Sequence, residues 1–291
     1  MPRADGAGSG TIGTGVLVGA GNATITNFGT VKGGSVGINF SGSGTVNSTG
    51  KVFNGDAAET TALISGSFTG ISATGSVTVT NFGSIKATAG VGVFMGQGGQ
   101  LINGGTANTT ATISGSGTSG IGARVESGKA VITNFGTVTG AGSVGILFSV
   151  GPSSAATGTV VNAGRISNGA GAAGTAIQFG TGDDRLVLRP GSSLIGKVVG
   201  GAGTNTLELA DGGAATTGAI GTAFTDFGTV VVDTGANWTL ADKNTTSKIT
   251  NRGTLALATG ATLQVTGLVD AASSGVFLLQ DASTLEVGLC G

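Results

Sequence analysis

Large apolar residues recur at every second position in short runs along this chain, and Gly, Asn or Ser closes each run. In Val36-Gly37-Ile38-Asn39-Phe40 the bulky side chains alternate with small or polar ones, and Val144-Gly145-Ile146-Leu147-Phe148 and Ile177-Gln178-Phe179 repeat the scheme. A period of two is that of a β-strand, so Val, Ile and Phe are expected on an inner face and Gly, Asn or Gln on the outer one. No segment holds the i, i+3, i+4, i+7 spacing of an amphipathic helix over three turns, so little or no α-helix is expected.

The runs themselves repeat. Ile25-Thr26-Asn27-Phe28-Gly29-Thr30-Val31 recurs as Val-Thr-Asn-Phe-Gly-Ser-Ile at residues 79–85 and unchanged at residues 132–138, which sets Asn27, Asn81 and Asn134 at intervals of 54 and 53 residues. The Val-Gly-Ile element keeps the same time through Phe40, Phe94 and Phe148. The first unit divides into residues 25–44, 45–62 and 63–78, each with two or three short strands between turns. These three pieces read as three coils per unit. A single coil of this kind cannot bury its own apolar face, so coils must stack. The chain is therefore expected to be all-β, a right-handed parallel β-helix (β-solenoid), with ~53-residue internal repeats of about three coils over residues 1–179. From residue 180 the texture changes, but Gly-Thr-Leu and Gly-Thr-Val steps before β-branched runs persist, so residues 180–291 are expected to continue the same stack. With strands about 4.8 Å apart, roughly 13 coils would make a rod of roughly 60 Å.

Turns carry the second signal. Asn-x-Gly follows a strand at Asn27, Asn81, Asn103, Asn134, Asn162 and Asn251. Asn and Gly tolerate the left-handed backbone, and Asn amides stacked from coil to coil can hydrogen-bond as a ladder. The residue after Asn varies among Phe, Gly, Ala and Arg, which places it outside the core.

Composition changes the picture in two ways. Gly reaches 60 of 291 residues, and charged residues make up 9%, against roughly 25% in average domains. A disordered linker is excluded by the wealth of Val, Ile and Thr in ordered alternation. The net charge of −1 gives no electrostatic footprint for nucleic acid or an anionic membrane. There is no His, which removes Ser-His-Asp and Cys-His catalysis and His-based metal sites. The lone Cys290 has no internal disulfide partner. No run of 18 apolar residues suggests a spanning helix. The opening Met-Pro-Arg-Ala-Asp is not a signal peptide, and both ends read as the edges of a fragment.

Several strings then resemble one family. Gly180-Thr181-Gly182-Asp183-Asp184-Arg185-Leu186 leads through a strand to Gly200-Gly201-Ala202-Gly203-Thr204-Asn205-Thr206-Leu207. Residues 227–240, ending in Trp238-Thr239-Leu240, and residues 249–255, Ile-Thr-Asn-Arg-Gly-Thr-Leu, follow. Together they resemble passenger regions of bacterial autotransporters (type V secretion), best over residues 160–288. The resemblance implies a β-helical passenger at the surface of a Gram-negative bacterium, or secreted from it, with a C-terminal membrane barrel that this sequence does not include.

Candidate chemistry is sparse. Asp184 and Asn205 fall near the ligand position of a calcium nonapeptide, but they lie 21 residues apart where tandem sites repeat every nine. Two tight Gly-Asp turns between strands are the preferred reading of them. Parallel β-helices also house polysaccharide lyases and hydrolases, which need clustered carboxylates with a cation. Asp183, Asp184, Arg185 and Arg189 form the one dense cluster, and neighbours on a strand face opposite ways. Trp238 with Phe28, Phe82 and Phe135 is a candidate aromatic stripe for sugars but too sparse for one platform, so core or turn packing is the preferred reading, and the pairs Thr24/Thr26, Thr78/Thr80 and Thr137/Thr139 resemble an ice-binding face but are explained by Thr being a good strand residue. The expectation is a non-enzymatic surface rod, an adhesin or structural spacer, with a polysaccharide lyase or hydrolase as the alternative. No cofactor and no nucleic acid are expected. A host or environmental surface or glycan is the expected partner, membrane contact would come only through the barrel, and the chain is expected to be a monomer.

Overall fold

The computed structural model describes residues 13–19, 21–42, 48–149, 156–213, 218–220 and 223–288. The chain is a parallel β-helix. Its strands form four sheets, and sequential strands fall in different sheets while every third strand stacks on its predecessor through most of the rod. Sheet I has nine strands, from Thr14–Val18 to Phe224–Thr225. Sheet II has twelve, from Asn22–Asn27 to Thr284–Val287. Sheet III has seven, from Thr30–Lys32 to Ser193–Ile195, and sheet IV has four, from Gly218–Ile220 to Val276–Leu279. Among the described residues there is no α-helix, only a 3-10 turn at Gly171–Ala173.

One coil shows the plan. Val36–Phe40 lies in sheet I, Thr49–Asn54 in sheet II and Leu63–Gly66 in sheet III, after which Thr69–Ala73 stacks on Val36–Phe40. The segments read from sequence as three coils do not correspond to coils: residues 25–44 hold strands of all three sheets, whereas residues 45–62 hold only Thr49–Asn54. Asn27, Asn54, Asn81, Asn103, Asn134 and Asn162 follow one another up sheet II at intervals of 27, 27, 22, 31 and 28 residues. The repeat of about 53 residues therefore holds two coils, not three.

Inward side chains form columns. Val52, Val79, Leu101, Ile132 and Val160 climb sheet II, and Ile64, Ile85, Ile113, Val138 and Ile166 climb sheet III, all 0% exposed. Burying each such side chain contributes roughly 1.5–3 kcal/mol. No coil gains this alone, which is why the fold exists only as a stack.

The Val-Gly-Ile element departs from strict alternation. Ile38 and Phe40 point inward as expected, but Val36 is half-exposed and Gly37 is buried beside Ile38. A Cβ on Gly37 would lie 2.5 Å from the Gly70 carbonyl oxygen, and Gly70, Gly92 and Gly122 stand in the same relation to the coils that follow. The backbone there lies so close to the next coil that only Gly fits.

Aromatic rings fill the region where the cross-section changes. Sheet II crosses residue 180 without a break, since Ala156–Asn162 pairs with Arg185–Leu188. Sheet III ends at Ser193–Ile195 and sheet IV takes its place after sheet II. Phe148 stacks on Phe179 at 5.1 Å, and Phe227 meets both Phe179 and Phe224 edge-on at 6.2 and 6.1 Å. Trp238 is fully buried, and its Nε1 donates to the Ala210 carbonyl at 3.0 Å. Beyond this point the strands Lys243–Asn251 and Thr262–Ala271 lengthen to 9 and 10 residues.

Candidate functional site

Three polar features stand out from this apolar stack: an amide ladder, a buried carboxylate column and a groove.

The ladder lies at the end of the sheet II strands, where the chain turns toward sheet III. Asn27 Nδ2 donates to Asn54 Oδ1 at 2.7 Å, Asn54 to Asn81 at 2.8 Å, Asn81 to Asn103 at 2.8 Å, Asn103 to Asn134 at 2.9 Å and Asn134 to Asn162 at 2.8 Å. Each amide also ties down turn carbonyls: Asn81 Nδ2 reaches Gly83 O in its own coil and Thr112 O in the next. All six side chains are buried. Asn54 is a rung that the Asn-x-Gly signature misses, because Gly55 follows it directly; its position after the apolar pair Val52-Phe53 and before a Gly was the signal. Asn251 is not a rung. Leu188, Leu209 and Val232 occupy the column between Asn162 and Asn251. Asn251 closes its own turn instead, accepting from Gly253 N at 3.1 Å and donating to Val276 O at 2.9 Å. Of the residues that follow these Asn, Phe28 and Arg252 are exposed and Phe82, Phe135 and Ala163 half-buried.

Asp184 and Asn205 occupy successive coils of a second column, since the 21 residues between them make one turn. Asp184 Oδ1 accepts from Gly158 N at 2.5 Å, Asn205 Oδ1 accepts from Asp184 N at 2.8 Å, and Asn205 Nδ2 donates to Asp226 O at 2.9 Å. Asp184 Oδ1 and Asn205 Oδ1 thus face N–H donors in different coils, not a common centre. Among the described residues no three or more Asp, Glu or Cys converge as a metal site. Asp184 is only 2% exposed, and its Oδ2 has no hydrogen-bond partner. Burial lifts its carboxyl from the ordinary 3.8 to about 6, with the Gly158 N–H opposing. Asp183 lies on the other side of the wall, exposed, with Oδ1 accepting from Thr204 N at 2.6 Å. Arg185 pairs with Glu208. The dense cluster read from sequence is therefore split across the wall and does not form one acid–base pair. Asn244, buried at 3%, holds the corner below sheet I's last strand by accepting from Phe224 N at 3.1 Å, a role the sequence pattern did not reveal.

A groove of about 500 Å³ opens where sheet I ends. Thr225, Asp226, Lys243, Thr245 and Ser247 line it over a floor of Phe224 and Phe227, both 2% exposed. Asp226 holds φ +62°, and Asp242, beside Lys243, holds φ +68°. Asp is among the few side chains that tolerate this left-handed region. The hydroxyls with one carboxylate and one ammonium suit hydrogen bonding to a polar ligand, while the buried rings offer no stacking platform.

The other expected surfaces are interrupted. Trp238 is core, not part of a stripe. Thr24/Thr26 and Thr78/Thr80 share the outer side of sheet II, but Lys51 and Phe53 lie between them, which breaks a continuous hydroxyl array. Thr137/Thr139 belong to sheet III. Cys290 lies outside the described residues. No protein-family model, curated protein or solved structure matches the chain.

Proposed function

We propose that the chain is a length of an autotransporter passenger, a non-enzymatic β-helical rod displayed at a Gram-negative cell surface as an adhesin or spacer. The observation that carries this reading is the continuity of sheet II, whose twelve parallel strands run from Asn22–Asn27 to Thr284–Val287. A stack of this kind extends by adding coils, keeps an apolar interior at every level and offers long outer faces. The Gly-Thr-Gly-Asp-Asp and Gly-Gly-Ala-Gly-Thr-Asn strings that resemble passengers lie in the turns that build the Asp184–Asn205 column. Adhesion by such a rod rests on many weak contacts along its length. The groove beside Asp226 and Lys243 adds one place where a glycan's hydroxyls would find partners.

The test is the native reading frame beyond residue 291. Continuation into alternating, aromatic-ended strands of a membrane barrel is the expected result. A stop codon shortly after that residue overturns the autotransporter reading.

A further inference from the structure

The outer face of sheet III carries charge of one sign. Lys32, Ser65, Lys86, Ser114 and Thr139 are register partners in succession on it. In the neighbouring column Ser84, Thr112 and Thr137 lead to Arg165. The residues between the two columns are the inward, fully buried ones, from Ile64 to Ile166, so both columns face out. Lys32, Lys86 and Arg165 are exposed, and no strand of this sheet contains Asp or Glu. Neither Arg124–Glu126 nor Arg185–Glu208, the salt bridges of the described residues, involves these three cations.

The turns before and after these strands hold two carboxylates, Asp56 and Glu59, both in the loop that leads into Leu63–Gly66. Both are engaged by their own loop. Asp56 Oδ1 accepts from Ala58 N and Glu59 N at 2.8 Å, and Glu59 Oε1 accepts from Thr61 N at 3.0 Å. Arg189, exposed in the turn before Ser193–Ile195, adds a fourth cation. The outer face of sheet II, by contrast, mixes signs, as in the contact of Arg185 with Glu208. Between the cations of sheet III the hydroxyls are held in rows. Thr112 Oγ1 donates to Ser84 Oγ at 3.0 Å, and Thr139 and Ser167 share a hydrogen bond of 3.1 Å. Each hydroxyl so engaged keeps further bonding capacity for a ligand. Lys86 stands two coils from Lys32 and three from Arg165. At about 4.8 Å per coil these steps are about 10 and about 14 Å along the axis.

We propose that this wall binds a linear polysaccharide bearing carboxylate or sulfate groups, laid across the strands along the rod. Widely spaced cations match a polymer whose charges are sparse, and the hydroxyl rows between them match its sugar hydroxyls. Nucleic acid fits the wall less well. Duplex DNA carries one charge per about 1.7 Å, and no outward residue of sheet III is aromatic, so nothing there stacks a base. Binding of this kind gives the adhesive rod a ligand, and rests on that reading only for its setting at a cell surface. The reading frame beyond residue 291 decides the setting, and titration of the wall decides the ligand.

Isothermal titration calorimetry of the full chain with dextran sulfate, polygalacturonate and uncharged dextran tests it. The expected result is binding of one or both polyanions at low salt, weakening as salt rises, and none of dextran. The polyanion bound more tightly tells sulfate from carboxylate recognition. Lys86→Gln should weaken binding roughly two- to fivefold, the range of one exposed ion pair. Lys32→Gln, Lys86→Gln and Arg165→Gln together should abolish it. Lys51→Gln with Lys129→Gln removes two exposed lysines from the outer face of sheet II and should change affinity by less than about twofold. Circular dichroism melting confirms that the variants fold. A single-stranded polynucleotide should bind more weakly than the better polyanion. Equal losses in the two sets of variants, dextran bound as tightly as the polyanions, tighter binding of the polynucleotide, or no binding of either polyanion at low salt would each overturn the proposal.

Discussion

Asn81 sits between two other amides and two turn carbonyls, and that position sets the cost of losing it. Asn81→Ala removes the amide donor to Asn103 Oδ1 and one acceptor of Asn54 Nδ2, and it takes the side-chain donor from the carbonyls of Gly83, which still accepts from Thr112 N, and of Thr112. With roughly 1–3 kcal/mol for each buried group left unsatisfied, the loss should reach about 2–4 kcal/mol in urea unfolding. Asn251→Ala breaks one isolated turn and should cost only about 1 kcal/mol by the same reasoning. Asp184 gives a prediction of the opposite sign. Its carboxyl is raised to about 6 when folded against an ordinary 3.8. The folded state therefore holds its proton more tightly than the unfolded one, and the stabilisation present below pH 4 is lost as pH rises through 6. Stability should fall between about pH 4 and pH 6.5 in chemical denaturation, the interval set by the two carboxyl values. Asp184→Asn should remove that fall and stabilise the chain at neutral pH by on the order of 2 kcal/mol, at about 1.4 kcal/mol per pKa unit. The neighbouring coil already places Asn205 in this column. A variant less stable than the parent at neutral pH would contradict the assignment.

At the level of the strand, residue identity on one sheet dictates identity on another. A Cβ on Gly50 would lie 2.1 Å from Phe40 Cε1, so the ring of one strand rests on the bare backbone of the next. Gly50→Val should destabilise by roughly 2 kcal/mol or more, as overpacking does, and Phe40→Ala in the same chain should recover part of the loss. Additive losses in the double variant would show that the two positions do not touch. This coupling also marks where the sequence stopped being readable. Alternation correctly assigned Ile38 and Phe40 to the core, because period two is a property of one strand. It put Gly37 on the outer face, whereas Gly37 is buried against the carbonyl of Gly70 in another coil. It missed Asn54 as a rung, because the ladder is defined by what lies above and below, which spacing along the chain does not record. It divided the 53-residue unit into three coils for the same reason: short strands look alike whether they stack or form the sides of one turn.

For the molecule as a whole, the parallel stack was legible from repeats, and the function was not. Turn residues recur with a period that only a stacked fold explains, whereas adhesive contacts leave no fixed residue pattern. The change from sheet III to sheet IV near residue 200 coincides with the altered texture after residue 180, and the cluster of Phe148, Phe179, Phe224, Phe227 and Trp238 fills the altered cross-section.

The central claim, one continuous rod of in-register coils, is tested most directly by distances between spin labels along sheet II. Gln100, Val131, Thr159, Arg185, Thr206, Thr229, Lys248 and Leu268 are register partners in succession on its outer side. With Cys290 replaced by Ser, labels at Gln100 and Thr206 span four coils and those at Gln100 and Leu268 span seven. Pulsed electron–electron resonance should give separations of about 19 Å and about 34 Å, in proportion to the number of coils at about 4.8 Å each. Separations that fail to grow with coil number, or a broad distribution for the longer pair, would contradict a single continuous stack.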